Sequence, residues 1–388
     1  MRHFDQLNGF RGLLFAAALL AVAVGVAACG GSSGSSSSGA ATESEAKEPT
    51  AGGGKEDGSV SHTVSTSWGT FELSPKIAEK VQNGEPINYL FSFEASGTPG
   101  FGEQFTAGFE YGCEQGEKIY PLHCEVVAPV QTNINEQISQ VQAKVAANQV
   151  DCLSIQPPTE TAVNALINEV SAKGIPVFAV GEENHANALM NFTQHHETEG
   201  EVAAETVIEF MEEEGKEFKN FALTSGLPTL GWAQGRMAGF EKKIKEDIPG
   251  AKFITDKANP YEIPLEPGPG YDAAKSFIAA HPEVEVFMNT DISGEPINKA
   301  ISDSGKTGKI FSIAWNPTMG QLEGIEKGLQ IATVDQRWFD QAAYGGEACA
   351  TFLKTGKILP NTQKPAPITK AKVAEERQSL EKIENAEG

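Results

Sequence analysis

The chain has little positive charge and lacks the short motifs of common catalytic sites. Its 388 residues include 30 lysines and arginines against 52 aspartates and glutamates, a formal net charge of −22. Such acidity argues against binding nucleic acid or an anionic membrane surface through the body of the protein. There is no Gly-x-x-x-x-Gly-Lys-Ser/Thr loop, no His-Glu-x-x-His, and no Gly-x-Ser-x-Gly elbow between a predicted strand and a helix. We therefore expect a protein that is not an enzyme and needs no cofactor.

Long apolar runs are also scarce, and the clearest one lies near the start of the chain. Residues 13–28 follow Arg2 and Arg11 and are too few to span a bilayer, so residues 1–29 are predicted to be a secretory signal. The run ends in Val-Ala-Ala-Cys, which resembles a bacterial lipobox. The resemblance implies cleavage before Cys29 and a lipid anchor on it. An ordinary signal peptide with a coincidental cysteine is the alternative.

Large apolar side chains are almost missing from residues 30–67, which open with a Gly/Ser-rich stretch. Such a segment cannot bury enough surface to offset the entropy of ordering, so it is predicted to be a flexible tether. Roughly 300 residues remain after it. That is more than one hydrophobic core usually serves, and we expect two lobes.

Cysteines are few, and none stand in a Cys-x-x-Cys pair, so neither a redox motif nor a zinc site of that kind is expected. Besides the lipobox cysteine there are Cys113, Cys124, Cys152 and Cys349. In an exported chain this even number favours two disulfides, with three connectivities open. We favour Cys113–Cys124 with Cys152–Cys349, and four buried thiols are the alternative.

Short apolar runs alternate with helical patterns from Ile87 onward, which predicts βαβ units and parallel sheets. Two series follow one another, so the predicted fold is α/β with two doubly wound lobes. Ligands of such sheets bind beyond the carboxyl ends of the strands, which here would face each other across a cleft. The predicted strands are residues 87–93, 120–127, 151–155, 175–180 and 188–193, then 220–224, 251–255, 284–289, 309–314 and 329–334.

Several stretches, in this order and spacing, resemble the type I periplasmic binding proteins, above all the sugar and polyol binders of ABC importers. The resemblance covers about residues 85–370 and implies a hinge crossed near 192–193, 335–336 and 359–360. One lobe would comprise residues 85–193 and 337–358, the other 194–336 and 359–370, leaving 371–388 as a charged tail. The stretches are residues 137–158, 162–180, 235–240 (GRMAGF), 284–291 (VEVFMNTD) and 331–336 (IATVDQ).

The resemblance also implies which residues contact a ligand. Phe101, in a Gly-rich loop, stands where relatives place an aromatic wall, although it could instead staple a helix N-terminus. Glu182 follows a predicted strand where relatives carry Asp-Arg, so Glu182 or Glu183 would supply one acceptor in place of that pair; solvated loop carboxylates are the alternative. Gln336 aligns with a hinge glutamine that binds ligand in relatives. The remaining candidates stand at strand or helix ends: Trp232, Gln234, Asn289, Thr290, Asp291, Trp315 and Asn316.

Together these observations predict an extracytoplasmic lipoprotein, monomeric and held by its lipid at the outer face of the cytoplasmic membrane. It would close its lobes on a small neutral solute, a sugar or polyol, and deliver it to an ABC permease. A sensing subunit of the same fold that signals without transport is the alternative. A metal site at His195–Glu199 is not expected, because neighbouring residues do not share a helix face; these residues are predicted to be solvated at a helix N-terminus.

Overall fold

The computed structural model describes residues 62–98, 100–182, 186–191, 195–360 and 364–386. The predicted signal, Cys29, most of the tether and the hinge crossing at 192–193 lie outside the described residues. Within these ranges no helix is long and apolar enough to cross a membrane.

The first half of the described chain alternates strands with helices, as its apolar periodicity predicts. Its elements are β1 (Thr63–Thr66), β2 (Gly69–Glu72), α1 (Pro75–Asn83), β3 (Ile87–Ser92), α2 (Phe101–Glu117), β4 (Leu122–Val127), α3 (Ile134–Ala146), β5 (Cys152–Ile155), α4 (Asn164–Ala172), β6 (Val177–Ala179) and β7 (Met190–Asn191).

The second half continues the alternation. Its elements are α5 (His196–Glu214), β8 (Asn220–Ser225), α6 (Gly231–Asp247), β9 (Lys252–Thr255), β10 (Tyr261–Glu262), α7 (Pro267–Ala280), β11 (Val286–Asn289), α8 (Gly294–Asp303), β12 (Phe311–Trp315), α9 (Met319–Glu326), β13 (Gln330–Asp335), α10 (Trp338–Thr355), β14 (Ala366–Thr369) and α11 (Val373–Ala386).

Two large sheets organise these elements, and β1 and β2 form a separate antiparallel hairpin. The first is parallel, in the order β4-β3-β5-β6-β7. The second runs β10-β8-β11-β12-β13-β14, with β9 also paired to β8, and is parallel except for β14. Strand order reverses beside β3 and beside β8, which opens a crevice at the carboxyl end of each sheet. The predicted fold of two doubly wound α/β lobes is confirmed.

The core of the first lobe is assembled from two distant parts of the chain. Buried residues of β3, β5 and β6 pack with Ala342, Cys349 and Phe352 of α10. Helix α10 lies unusually close to α2, since a Cβ at Gly112 would overlap the carbonyl of Ala343. A Cβ at Gly346 would overlap the carbonyl of Gly112 in turn. Glycine at this contact therefore fixes α10 against the first lobe.

Two ends of the folded body differ from the sequence prediction. Strand β1 begins at Thr63, inside the predicted tether, because Val64 and Phe71 of the β1–β2 hairpin enter the first core. The predicted charged tail, 371–388, contains the helix α11. Its Val373 and Leu380, seven residues apart, bury one face against α9. The many charges around these two residues hide that narrow apolar stripe in the sequence.

Both favoured disulfides are present in the structure. Cys113 at the end of α2 is bonded to Cys124 of β4, and Cys152 of β5 is bonded to Cys349 of α10. The two differ in the length of chain they close, with sequence separations of 11 and 197. A cross-link restricts the unfolded chain more as its loop lengthens.

We expect the long-range disulfide to stabilise the protein more than the short one. In the chain-entropy model, closing a loop of 197 residues contributes about 5 kcal/mol and closing one of 11 about 3 kcal/mol. Urea unfolding of Cys152→Ala/Cys349→Ala should therefore show the larger loss of unfolding free energy. Cys113→Ala/Cys124→Ala is the matched control, and equal losses in the two double variants would contradict the prediction.

Candidate functional site

A cavity of about 410 Å³ lies between the carboxyl ends of the two sheets. This volume is within the usual range for small-molecule sites, about 300–1,000 Å³. The first lobe contributes residues that follow β3, β5 and β6, and the second contributes residues that follow β8, β11, β12 and β13. The lining includes Glu94, Phe101, Phe105, Gln156, Glu182, Leu227, Trp232, Arg236, Asp291, Asn316, Gln336, Trp338 and Gln341.

Aromatic rings form one wall of the cavity. Phe101 begins α2, and its ring centroid lies 4.6 Å from that of Phe105 and 5.0 Å from that of Trp338. The predicted Phe101 and Trp232 both line the cavity, whereas Phe105 and Trp338 were not predicted. Trp338 begins α10 only two residues after the predicted Gln336. This nearness in the sequence is the signal that could have identified Trp338 as a cavity residue. Flat apolar faces of this kind suit the C–H face of a ring-shaped ligand.

Besides Glu182, three of the predicted polar residues line the cavity. Gln336 donates from Nε2 to Oδ1 of Asn316 at 2.7 Å, which orients both amides at the hinge. Asn316 has φ of 60°, a left-handed conformation that asparagine tolerates better than most residues. Asp291 accepts from the backbone N–H groups of Gly226 and Ser293 at 2.7 and 3.1 Å. Each of the three stands directly after a strand or one residue beyond it.

Four other predicted residues do not line the cavity. Gln234 donates to the carbonyl of Pro228, Asn289 donates to Oγ1 of Thr224, and Thr290 donates to Oγ of Ser225. Trp315, expected to be exposed at its strand end, is fully buried in the second core. Side chains alternate between the faces of a strand, so the last one can point to the core as readily as to the ligand.

A chain of buried charges runs from the cavity wall into the second lobe. Arg236 of α6 donates from Nε to Oε2 of Glu199 at 2.7 Å and from Nη1 to the carbonyl of Thr290 at 2.8 Å. His196 lies between two carboxylates, 3.4 Å from Glu199 and 3.0 Å from Glu182. Because Glu182 follows β6 and His196 begins α5, the chain connects the two lobes. Neither Arg236 nor this connection was predicted.

Hydrogen bonds and charges within this row of side chains determine which of them are ionised. Burial alone would lower the pKa of His196, but its hydrogen bonds to Glu182 and Glu199 raise it to about 9. Burial alone would raise the pKa of Glu199, but the charges of Arg236 and His196 lower it to about 2. The row of buried side chains therefore alternates negative and positive charges at neutral pH. Buried charges need such pairing with opposite charges.

The predicted solvation of residues 195–199 is therefore wrong in part. Helix α5 begins at His196, four residues before Gly200, where the sequence predicts the helix to start, and His196 and Glu199 are both buried. Their i, i+3 spacing places them on one helix face, toward α6, while Glu197 remains exposed. Among the described residues, Cys113, Glu117 and Cys124 lie close enough together to hold a metal ion. The sulfurs of Cys113 and Cys124 are already bonded to each other in a disulfide.

Glu94 is a cavity residue that the sequence analysis missed. It lies two residues after β3, and its backbone N–H donates to Oε1 of Gln156 at 3.1 Å. Burial and the nearby charge of Glu182 raise the pKa of Glu94 to about 8, against a hydrogen bond from Gln156 that lowers it. Gly181 lets these groups approach, since a Cβ there would be 3.0 Å from Cγ of Gln156. The loops that follow β3 and β6 thus place two carboxyl groups, Glu94 and Glu182, at one side of the cavity.

We expect protonated His196 to make stability fall as pH rises. The folded state keeps this proton up to about pH 9, while the unfolded chain releases it near pH 6.5, so its contribution of about 3 kcal/mol is lost across that window. Urea unfolding between pH 6 and 9.5 should show a shallower decline for His196→Gln than for the wild type. His281→Gln, which alters a more exposed histidine, is the control; identical slopes in all three proteins would contradict the prediction.

The fold agrees with comparisons to known proteins. Residues 96–358 match the model of a family described as "Periplasmic binding protein domain". The chain matches no curated protein sequence. Similar solved structures include GanP, a glucose-galactose binding protein from Geobacillus stearothermophilus, with 21% identity, a TM-score of 0.60, and coverage of 74% of this chain and 98% of that one.

Two further structures give the same result. AraP, an arabinose binding protein from Geobacillus stearothermophilus, has 18% identity and a TM-score of 0.60, covering 75% of this chain and 99% of that one. A sugar-binding protein of a sugar ABC transporter from Bacillus halodurans has 18% identity and a TM-score of 0.62, covering 74% and 98%. Likeness at these identities concerns the fold. The match to the family model across residues 96–358 shows the family, and this chain belongs to the periplasmic binding proteins.

Proposed function

We propose that this protein captures a sugar or polyol outside the cytoplasm and delivers it to the permease of an ABC importer. The observation that carries this proposal is the 410 Å³ cavity, lined from both lobes by aromatic rings and fixed polar groups. A sugar offers a C–H face to the rings and hydroxyl groups to the amides and carboxyls. A ligand that contacts both lobes at once stabilises their closed arrangement, which the permease would then recognise.

The comparisons support the choice of ligand class. The names of three structural neighbours state that they bind glucose and galactose, arabinose, or sugar. These statements concern those proteins, and their fold is shared by this chain. The cavity adds the independent argument, because Phe101, Trp338 and Trp232 place aromatic rings on both lobes.

Binding is tested by thermal unfolding of the full chain with glucose, galactose, arabinose, xylose and ribitol, beside amino acids and nucleosides as unrelated solutes. A ligand at about 100 times its dissociation constant adds about 2.7 kcal/mol to the native state, which gives a measurable rise in Tm. We expect a rise with a sugar or polyol. Gln336→Ala should weaken binding of that solute by about tenfold with little loss of Tm in its absence, because the change removes one amide from the cavity wall.

The control for Gln336→Ala is Gln115→Ala, a half-buried position on α2 outside the cavity. It should leave affinity unchanged. A rise in Tm with amino acids or nucleosides alone would keep the fold and discard the sugar proposal, and unchanged affinity in Gln336→Ala would remove that residue from the site.

We further propose that a lipid on Cys29 holds the protein at the outer face of the cytoplasmic membrane. The lipobox-like Val-Ala-Ala-Cys supports this placement, and two or more acyl chains on one residue suffice for stable anchoring. Cys29→Ser should abolish incorporation of a radiolabelled fatty acid and release the protein from the membrane fraction. Ser32→Ala, in the adjoining Gly/Ser stretch, should do neither. Continued labelling of Cys29→Ser would refute the anchor.

A further inference from the structure

The ionisable side chains that line the cavity differ in whether they have an ion-pair or hydrogen-bond partner within the protein. Arg236 is bonded to Glu199 and to the carbonyl of Thr290. Glu182 is paired with His196 at 3.0 Å, and Asp291 accepts two backbone N–H groups. Among the described residues no cation lies within ion-pair distance of Glu94. Glu94 is thus a cavity carboxyl group without an ion-pair partner among the described residues, and a cationic ligand would balance the charge that it takes on when it ionises.

A second, independent group in the same cavity needs a hydrogen-bond donor. Gln341 of α10 is 1% exposed, and its Nε2 donates to the carbonyl of Gln336 at 2.7 Å. Its other atom, Oε1, is buried without a partner among the described residues. Buried acceptors are almost always satisfied, and Gln341 lines the cavity, so an occupant of the cavity is one source of the missing donor. The Gln341 amide oxygen can only accept a hydrogen bond, and the Glu94 carboxyl accepts without donating once it is ionised.

We propose that the solute carries a protonated amine beside its hydroxyl groups, with the Glu94 carboxylate as its counter-ion and the Gln341 amide oxygen as a further acceptor. The inference rests on the proposed sugar-binding function and narrows it to amino sugars and amino polyols. It replaces the neutral solute that the sequence predicts. An ammonium group is a donor only, which matches acceptors better than a hydroxyl that must also be satisfied as an acceptor.

The rest of the cavity suits a cation as well. Aromatic faces attract an ammonium group through their quadrupole, and Phe101, Phe105, Trp232 and Trp338 all line the cavity. The raised pKa of Glu94 is consistent with a missing partner, since burial and the charge of Glu182 make this carboxyl costly to ionise in the absence of a ligand. A bound ammonium group would reverse that cost by supplying the opposite charge.

The test compares matched solutes by isothermal titration calorimetry on the full chain at pH 7. The pairs are glucose with glucosamine and galactose with galactosamine, and N-acetylglucosamine is the uncharged control for the size of the substituent. We expect the amine of at least one pair to bind about tenfold more tightly than its hydroxyl partner, as a desolvated charge pair implies. Glu94→Gln should abolish this preference. Glu246→Gln, which removes an exposed charge on α6, should retain it.

The outcomes separate this proposal from the one it rests on. Equal affinities for the amine and hydroxyl members, or a preference that survives Glu94→Gln, would overturn the amine assignment and leave sugar capture standing. Tight binding of N-acetylglucosamine in place of glucosamine would also overturn it, because the charge would then be irrelevant. If arabinose, xylose, ribitol and every member of both pairs fail to bind, the proposed function falls together with the inference.

Discussion

Glycine residues at the points where helices touch determine where the cavity residues stand, because a residue without a Cβ lets two helices approach closely. In the first lobe, Gly112 and Gly346 let α2 and α10 touch through their backbones. In the second, Gly200 meets the carbonyl of Arg236, and Gly239 meets that of Glu197, so α5 and α6 lie equally close. Any larger residue at these points would push a helix outward and displace the side chains at its first turn. The aromatic wall and the buried charges both begin at such first turns.

The charges of the site are arranged so that the protein neutralises most of them itself. Glu182, His196, Glu199 and Arg236 alternate in sign, and each charge is adjacent to an opposite one. The cost of desolvating the charges offsets much of the attraction between them. Such a cluster therefore contributes more to defining one geometry than to stability. Since the contact between Glu182 and His196 spans the two lobes, a rotation that separates β6 from α5 must break it. The cluster therefore favours one relative orientation of the lobes near the hinge.

Much of the fold and part of the site follow from the sequence. Apolar periodicity predicts the strands and helices of both lobes. Strand ends locate Glu182, Asp291, Asn316 and Gln336 at the cavity, and helix starts locate Phe101 and Trp232 there. Whether these residues bind ligand stays a prediction.

The remaining features depend on pairings between distant residues. Trp315 is buried because α6 covers its face of the strand, and nothing next to it in the sequence shows this. Glu94 looks like an ordinary loop carboxyl until Gln156 and Glu182 are brought beside it. Likewise, the burial of His196 requires Arg236 and Glu182, which come from two other elements.

The two-part construction of the first lobe has a consequence for synthesis. Its core is complete only when Phe352 and Leu353 of α10 join strands formed some 200 residues earlier, a separation matched by the 197 residues between Cys152 and Cys349. A ribosome releases the chain from its N-terminus, and domains generally fold as they emerge. Here the first lobe must wait for nearly the whole polypeptide. The first lobe therefore stays without its complete core for most of translation, although its strands are the first to be made.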